Sequence, residues 1–403
     1  MSTETSLPER APPSDPRGRA WIEIRASALR ENYRTVQAAV GPDVGMIPMV
    51  KADGYGLGVE GVVRALRGQG PLRWGVATVD EGLRLRELGV TEPIQVFSPA
   101  APAERLRALE GRLRPTLSDL DFLSILTTES AEGRARGGSR GLVGRFDVEV
   151  DTGMGRSGFA AGSVADWAPA IFEGIRGSGL EWAGVFTHLH SADDPEGVAA
   201  GEAVGEQLRR FQTVLRQLDM MCGSAGRPLL ERHVANSAGA LRFPGEMSAF
   251  DAVRPGIALY GGSVGADTGL ADVVAVRARV IRVVDVTAGT TVGYASTYRA
   301  RKPETWATLG IGYGDGLPRA LSNRGSAIVA ERRVPIIGRI SMDMTVVDVT
   351  GIEDLTPGDV ATLVGTSGAV RISLADVAEE ARTIDYEILT GWTSRLPRIW
   401  TED

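Results

Sequence analysis

From about residue 20 to residue 260 the chain repeats one local pattern: a short apolar run, then a segment whose apolar residues recur at helical spacing. No other feature restricts the fold so strongly, because repeated strand–helix units pair as a parallel sheet, closed or open. The apolar runs predict strands near 45–50, 73–77, 94–97, 113–117, 143–150, 182–187, 231–235 and 251–254. Helical spacing between them predicts helices such as Ser27 to Val40, Asp80 to Leu88, Ser163 to Phe172 and Gly201 to Leu218. Eight units predict an α/β protein with a closed (β/α)8 barrel of TIM type over 20–262, its active site at the carboxyl ends of the strands. A doubly wound open sheet is the competing arrangement on pattern alone.

Beyond Gly262 the pattern changes. Alternating β-rich segments at Val274 to Val286, Trp306 to Ile311, Ser326 to Ile340 and Thr345 to Val349 predict a mainly antiparallel β domain over 263–403. One amphipathic helix, Ser373 to Arg382, interrupts it, and Leu396 to Trp400 reads as a closing strand. Two unequal domains suit a chain of 403 residues. Residues 1–19, with several charges and four prolines, read as a disordered tail, and Gly133 to Gly141 as a flexible basic loop.

Composition narrows the partners. Hydrophobic content of 43% with 24% charged residues describes a soluble globular protein, and a net charge of −7 argues against nucleic acid or an anionic membrane. No apolar stretch approaches membrane-span length and the N-terminus lacks a secretion signal's apolar core. The single Cys222 rules out an internal disulfide framework and fits a reducing, cytoplasmic setting.

A barrel makes a check possible, since reactive residue types should follow the strands. Lys51 follows the first, Arg156 the fifth, His188 the sixth, Ser237 the seventh and Arg254 the eighth. Lys51 stands out because the chain has two lysines against 42 arginines, the other being Lys302. Unlike arginine, a lysine can lose its proton and act as a nucleophile, Schiff-base partner or base. Near the last two strands, Asn236-Ser237-Ala238-Gly239 and Pro255-Gly256-Ile257 lie where barrels commonly hold phosphate, and Tyr55 lies four residues past Lys51.

Each residue also has a plainer reading. Lys51 could be a surface lysine, Ser237 an ordinary helix start, Arg254 an arginine paired with a rim carboxylate, and Tyr294 a structural aromatic. His188, in Thr-His-Leu-His, could be a metal ligand. A metal is discounted, because the chain has three histidines and one cysteine and His190 would point to the opposite side of an extended segment.

The run Val50-Lys-Ala-Asp-Gly-Tyr-Gly56 resembles the cofactor-lysine motif of alanine racemases, and the resemblance extends from about residue 20 to 400. It implies pyridoxal 5'-phosphate bound as an internal aldimine on Lys51, with phosphate contacts from Tyr55, Ser237, Gly256 and Ile257. Arg254 matches the residue that faces the pyridine nitrogen, where a guanidinium donates a hydrogen bond but no proton. His188 matches the histidine that links this arginine to the catalytic tyrosine. Tyr294, in Thr291-Val-Gly-Tyr-Ala-Ser-Thr-Tyr298, looks like the second base, contributed across the interface of a homodimer with shared active sites. Arg156 and the backbone N–H of Met342, in Arg339-Ile-Ser-Met-Asp343, would hold the substrate carboxylate, with Tyr313 lining the entrance. The implied activity is two-base racemisation of L- and D-alanine, supplying D-alanine for cell-wall peptidoglycan.

Two positions depart from the family pattern. Many members carry a carbamylated lysine where this chain has Glu149, and a phosphate-touching tyrosine where it has Ser394. Strand alternation puts Arg145, Asp147, Glu149 and Asp151 on one face of their strand, so Glu149 should find a cationic partner inside the barrel, Arg156 or alternatively Arg145. Ser394 leaves room for a broader racemase that accepts serine. The rivals from other classes are a barrel-type amino-acid decarboxylase, opposed by Arg254 and the Tyr294 motif, and a non-catalytic cofactor carrier, which would not need residues 263–403.

Overall fold

The computed structural model describes residues 17–124, 127–128, 144–194, 197–224, 226 and 229–402. Most of the expected tail and the expected loop Gly133 to Gly141 lie outside these residues. The described chain forms two compact units, one of Arg25–Val273 with Asp385–Thr390 and Thr401–Asp403, the other of residues up to Ile24 with Val274–Ile384 and Gly391–Trp400.

The first unit is a curled sheet of eight parallel strands: Gly45–Met46, Trp74–Val76, Ile94–Val96, Arg114–Leu117, Gly144–Asp151, Leu180–Phe186, Glu231–His233 and Ala252–Val253. Each pairs with its neighbours in sequence, and the last returns to the first through Ala252 opposite Gly45. A parallel bridge from Met49 to Gly75, with Val50 N–H donating to the Gly75 carbonyl at 2.8 Å, joins the first strand to the second and closes the barrel. The open sheet is thereby excluded. Closure is sequential because right-handed crossover connections lay each strand beside the one before it in parallel.

Local chemistry sets where the helices begin. Thr78 caps Val79–Glu87 in a capping box with Glu81, one residue ahead of the expected start. In Ala26–Val40, Leu29, Asn32, Tyr33, Val36 and Val40 repeat on the buried face. Asn32 there donates to the Ala271 carbonyl at 2.9 Å and accepts from the Ala271 N–H at 2.7 Å, so one buried amide pins the end of the barrel chain. The strand Gly144–Asp151 alternates as expected: Phe146, Val148 and Val150 are buried on one face, Asp147 and Glu149 on the other.

The second unit holds a nine-stranded sheet whose order places Ala20–Arg25 between Val274–Val286 and Arg398–Thr401. Ala20–Arg25 runs antiparallel to Val274–Val286, with Ile22 opposite Val276. The sequence reading started the barrel at residue 20; in the structure Ala20–Ile24 belongs to the β unit. A lone N-terminal strand carries no mark of its partner, because its pairing is set by Val274–Ala278, far along the chain. The expected β segment Ser326 to Ile340 is a hairpin of Ser326–Val329 and Arg332–Ile337, its two turn residues Ala330 and Glu331 both at positive φ. Ser373 caps Leu374–Ala381 in a second capping box with Asp376. Among the described residues no helix is long and apolar enough to cross a membrane.

Candidate active site

Lys51 leaves the first barrel strand and opens a turn of unusual hand. Ala52, Asp53, Gly54 and Tyr55 all have φ between 52° and 64°, a single turn of left-handed helix. Three of the four carry a Cβ, and each pays about 1–2 kcal/mol there, so the turn persists only because its surroundings hold it. Glu81 accepts from the Ala52 N–H at 2.7 Å with one oxygen and from the Ala77 N–H at 2.8 Å with the other. Asp53 accepts from the Val59 N–H at 2.8 Å, and a Cβ on Gly56 would lie 2.4 Å from the Leu389 carbonyl oxygen. The turn thus aims Lys51 inward at the carboxyl end of the barrel.

One cavity there is lined by Lys51, Tyr55, Glu149, Arg156, His188, Asn236, Ser237, Arg254, Gly256 and Ile257, together with Met49, Phe97, Phe186 and Tyr386. Lys51, Tyr55, Arg156, His188, Ser237, Arg254, Gly256 and Ile257, the barrel residues given site roles from the sequence, are all on its wall. Burial lowers the pKa of Lys51, and the positive charges of Arg156 and Arg254 push the same way against the opposing pull of Glu81. Loss of the amine's proton is thereby made easier than for a lysine in water.

The wall opposite suits a phosphate. Ser237 Oγ accepts from the Gly256 N–H at 2.8 Å and the Ala258 N–H at 3.2 Å, which leaves its own proton to donate outward. A Cβ on Gly256 would stand 2.1 Å from the Tyr55 hydroxyl, so only glycine allows the two to close this cradle. Tyr55 stacks on Tyr260 at 4.4 Å, and Tyr260 is anchored by donating to the Met49 carbonyl at 2.9 Å. Burial raises the pKa of Tyr55 and of Tyr386, keeping both hydroxyls as neutral donors. Hydroxyls and backbone N–H groups, with a lysine and an arginine further along the wall, match the polar ends of a phosphorylated pyridine aldehyde.

Arg254 is buried at the base of the cavity. Its Nη2 donates to the carbonyls of Thr187 and Val234, each at 2.8 Å, and lies 3.3 Å from His188 Nδ1. Nη1 donates to His233 Nδ1 at 2.9 Å. The guanidinium also sits over Phe186 and Phe97, 5.1 and 5.6 Å from the ring centres. Burial, with Arg254, Arg156 and Lys51 nearby, drops the His188 pKa to about 3. His188 is thus neutral and available to accept.

Glu149 departs from expectation. Its carboxylate accepts from Ser157 Oγ at 2.6 Å, and among the described residues no ion pair joins it to Arg156 or Arg145. Arg145 pairs with Glu181 instead, at the other end of the strand. Burial raises the Glu149 pKa, partly countered by Ser157, Arg156 and Arg254. A hydroxyl replaced the expected cation because Ser157 lies on the strand-following loop that turns back over Glu149, geometry a strand pattern does not encode.

Tyr294, Tyr313 and Met342 belong to the β unit and are exposed there, Tyr294 at 67%. Gly314 N–H donates to the Met342 carbonyl at 2.8 Å and Tyr313 N–H to the Ser341 carbonyl at 3.0 Å, so the loops of Tyr313 and Met342 are laced together. Asp315 braces them through Arg19 and Arg395, the latter also bound to Asp343 at 2.6 Å. Gly293, at φ 72°, packs the Tyr294 turn onto the backbone of Arg339. Ser394 is exposed in the same unit.

Sequence reasoning missed His233, Phe97, Phe186, Glu81, Tyr260 and Tyr386, and put Asp147 on the inward face of its strand without giving it a role. His233, one of three histidines and on a predicted strand, carried a signal that could have been used. Tyr386 carried none, since it reaches the cavity from Asp385–Thr390, a short helix that returns to the barrel unit from within the C-terminal third.

The chain matches the alanine racemase N-terminal domain over residues 24–264 and the alanine racemase C-terminal domain over 273–400. The alanine racemase of Desulfosudis oleivorans is 36% identical over 397 residues, covering 94% of this chain and 96% of that protein. Alanine racemase from Bartonella henselae, solved with covalently bound pyridoxal phosphate, superposes with a TM-score of 0.82 at 30% identity over 95% of this chain and all of the other. Alanine racemase from Bacillus anthracis with bound L-Ala-P gives 0.82 at 31% identity, covering 97% of this chain and 96% of that one.

Proposed function

The chain belongs to the alanine racemase family, and from that premise we propose that it interconverts L- and D-alanine with pyridoxal 5'-phosphate attached at Lys51. The observation that carries this reading is the single cavity in which a half-buried lysine of lowered pKa faces Arg254 across a wall closed by Tyr55, Ser237 and Gly256. The residues present fit the group. Tyr55, Ser237, Gly256 and Ile257 would hold its phosphate, Arg254 its ring nitrogen, and His188 the arginine.

When bound, the cofactor supplies an electron sink for the pair left at Cα as its proton departs. This chain's residues then decide where that proton goes. Lys51, whose desolvated amine gives up its proton more readily than one in water, accepts the Cα proton on one face. Tyr294 of a partner subunit supplies a proton on the other, because one residue seldom reaches both sides of a planar centre. Arg156 and the N–H of Met342 hold the carboxylate, and Tyr313 narrows the entrance. Arg254 donates a hydrogen bond to the ring nitrogen and keeps its own proton, which restrains side reactions. The protein would work in the cytoplasm as a homodimer, and the exposed Tyr294 turn, in a unit separate from Lys51, supports the dimer.

Incubation of purified protein with L-alanine, followed by chiral chromatography, should reach equal amounts of the two enantiomers. No D-alanine from fully loaded protein would overturn the assignment, and faster turnover of L-serine would move it to the broader racemase.

A further inference from the structure

Arg254 is held from behind by a chain of hydrogen bonds that runs down the barrel interior. Its Nη1 donates to His233 Nδ1 at 2.9 Å, and His233 Nε2 lies 3.1 Å from Asp147 Oδ2. The other carboxylate oxygen of Asp147 accepts from Arg114 Nε at 2.7 Å and also from Arg114 Nη2. Asp147 and His233 are both fully buried. His233 stacks on Phe186 at 4.8 Å and meets Phe97 edge-on at 6.0 Å, and both rings also line the cavity.

The direction of each bond follows from the donors. An arginine only donates, so Nδ1 of His233 must carry a lone pair. Burial keeps His233 neutral, leaving a single ring proton, which must sit on Nε2 and requires an acceptor there. Asp147 Oδ2 is that acceptor. Burial opposes the charge on Asp147, but Arg114, the His233 bond and Arg73 outweigh it and hold the carboxyl ionised.

We propose that Asp147 is a positioning residue for the reaction: by fixing the Nε2–H tautomer of His233, it fixes the orientation in which Arg254 meets the cofactor ring. This rests on the cavity being a pyridoxal-phosphate site. An amide at 147 has one oxygen where the carboxylate has two, so it satisfies either Arg114 or His233. The charged Arg114 fork takes the oxygen. The amide NH2 then faces His233 Nε2, the ring proton moves to Nδ1, and two N–H groups oppose each other between His233 and Arg254.

The tautomer can be read directly. In 15N-histidine-labelled protein, long-range proton–nitrogen correlation has three histidines to assign, and we expect Nε2–H for His233 in the wild type and Nδ1–H in Asp147→Asn. The consequence is read by titrating cofactor-free protein with pyridoxal 5'-phosphate and with its 1-deaza analogue, which lacks the ring nitrogen. The wild type should prefer the former, and Asp147→Asn should lose about 10- to 100-fold of affinity for it while losing little for the analogue. Should Asp147→Asn fail to fold, His233→Asn offers an amide oxygen near the place of Nδ1 and should keep the preference, whereas His233→Leu should abolish it. Wild-type His233 protonated on Nδ1, an Asp147→Asn protein with unchanged tautomer and preference, or equal behaviour of the two His233 variants would overturn the proposal. Absence of a covalent adduct at Lys51 in the wild type would instead overturn the reading on which it rests.

Discussion

Gly256 and Tyr55 come so close that a methyl group on residue 256 would overlap the Tyr55 hydroxyl, at 2.1 Å. Gly256→Ala must therefore displace Tyr55, which is itself stacked on Tyr260 and has little room to move. We expect affinity for pyridoxal 5'-phosphate to fall at least as far as in Tyr55→Phe, about tenfold or more, for loss of one well-placed hydrogen bond to a charged group. Titration of cofactor-free protein by absorbance checks this, and an unchanged affinity would place the phosphate elsewhere.

Borohydride reduction followed by peptide mapping should find the cofactor on Lys51 alone. Lys302 is the sole other lysine, so the result is unambiguous. Lys51→Arg should bind cofactor without covalent attachment and lose racemase activity below detection, because a guanidinium keeps its proton.

Ser237 is asked to satisfy two buried N–H groups at once. Ser237→Ala leaves the N–H groups of Gly256 and Ala258 without that acceptor and should cost about 1–3 kcal/mol of stability in the cofactor-free protein. Denaturant unfolding measures it. If the loss appears only with cofactor bound, the hydroxyl serves the ligand rather than the turn.

Glu149 has a folded-state pKa above its unfolded value, caused first by burial. Its ionised form is therefore the disfavoured one: the group costs no stability below the unfolded carboxylate range, and the cost grows as pH rises through the folded pKa. Glu149→Gln, which can still bond Ser157, should be more thermostable than the wild type at neutral pH, with the gap closing towards acid pH. The same variant should bind substrate more weakly, since Arg156 loses a nearby negative charge. Wild-type activity should be indifferent to bicarbonate. A gap that widens in acid, or a bicarbonate requirement, would refute this account.

Mixing Lys51→Ala protein with Tyr294→Phe protein should restore activity if the two bases come from different subunits. Random exchange puts one intact site in about half of the dimers, so up to roughly a quarter of wild-type activity per site should return if the two single variants are silent. Demonstrated exchange with no recovery would put both bases in one chain.

The order of the barrel strands and the identity of Lys51, Ser237, Arg254 and Gly256 as wall residues were determined by the sequence alone. Period and length mark each βα unit locally, and a barrel then forces residues just past its strands to one end. Capping boxes at Thr78 and Ser373 are equally local. Only the tertiary structure decided what stands behind that wall. Asp147 and His233 are 86 residues apart and Tyr260 and Met49 are 211 apart, and such pairs leave no periodic trace because their contact is fixed by closure of the sheet. The pairing of Ala20–Ile24 with the β unit and the return of Tyr386 to the cavity are of the same kind. So is the partner of Glu149: alternation dictated that its carboxylate faces inward, but whether a cation or the Ser157 hydroxyl meets it depends on how a loop folds back in three dimensions.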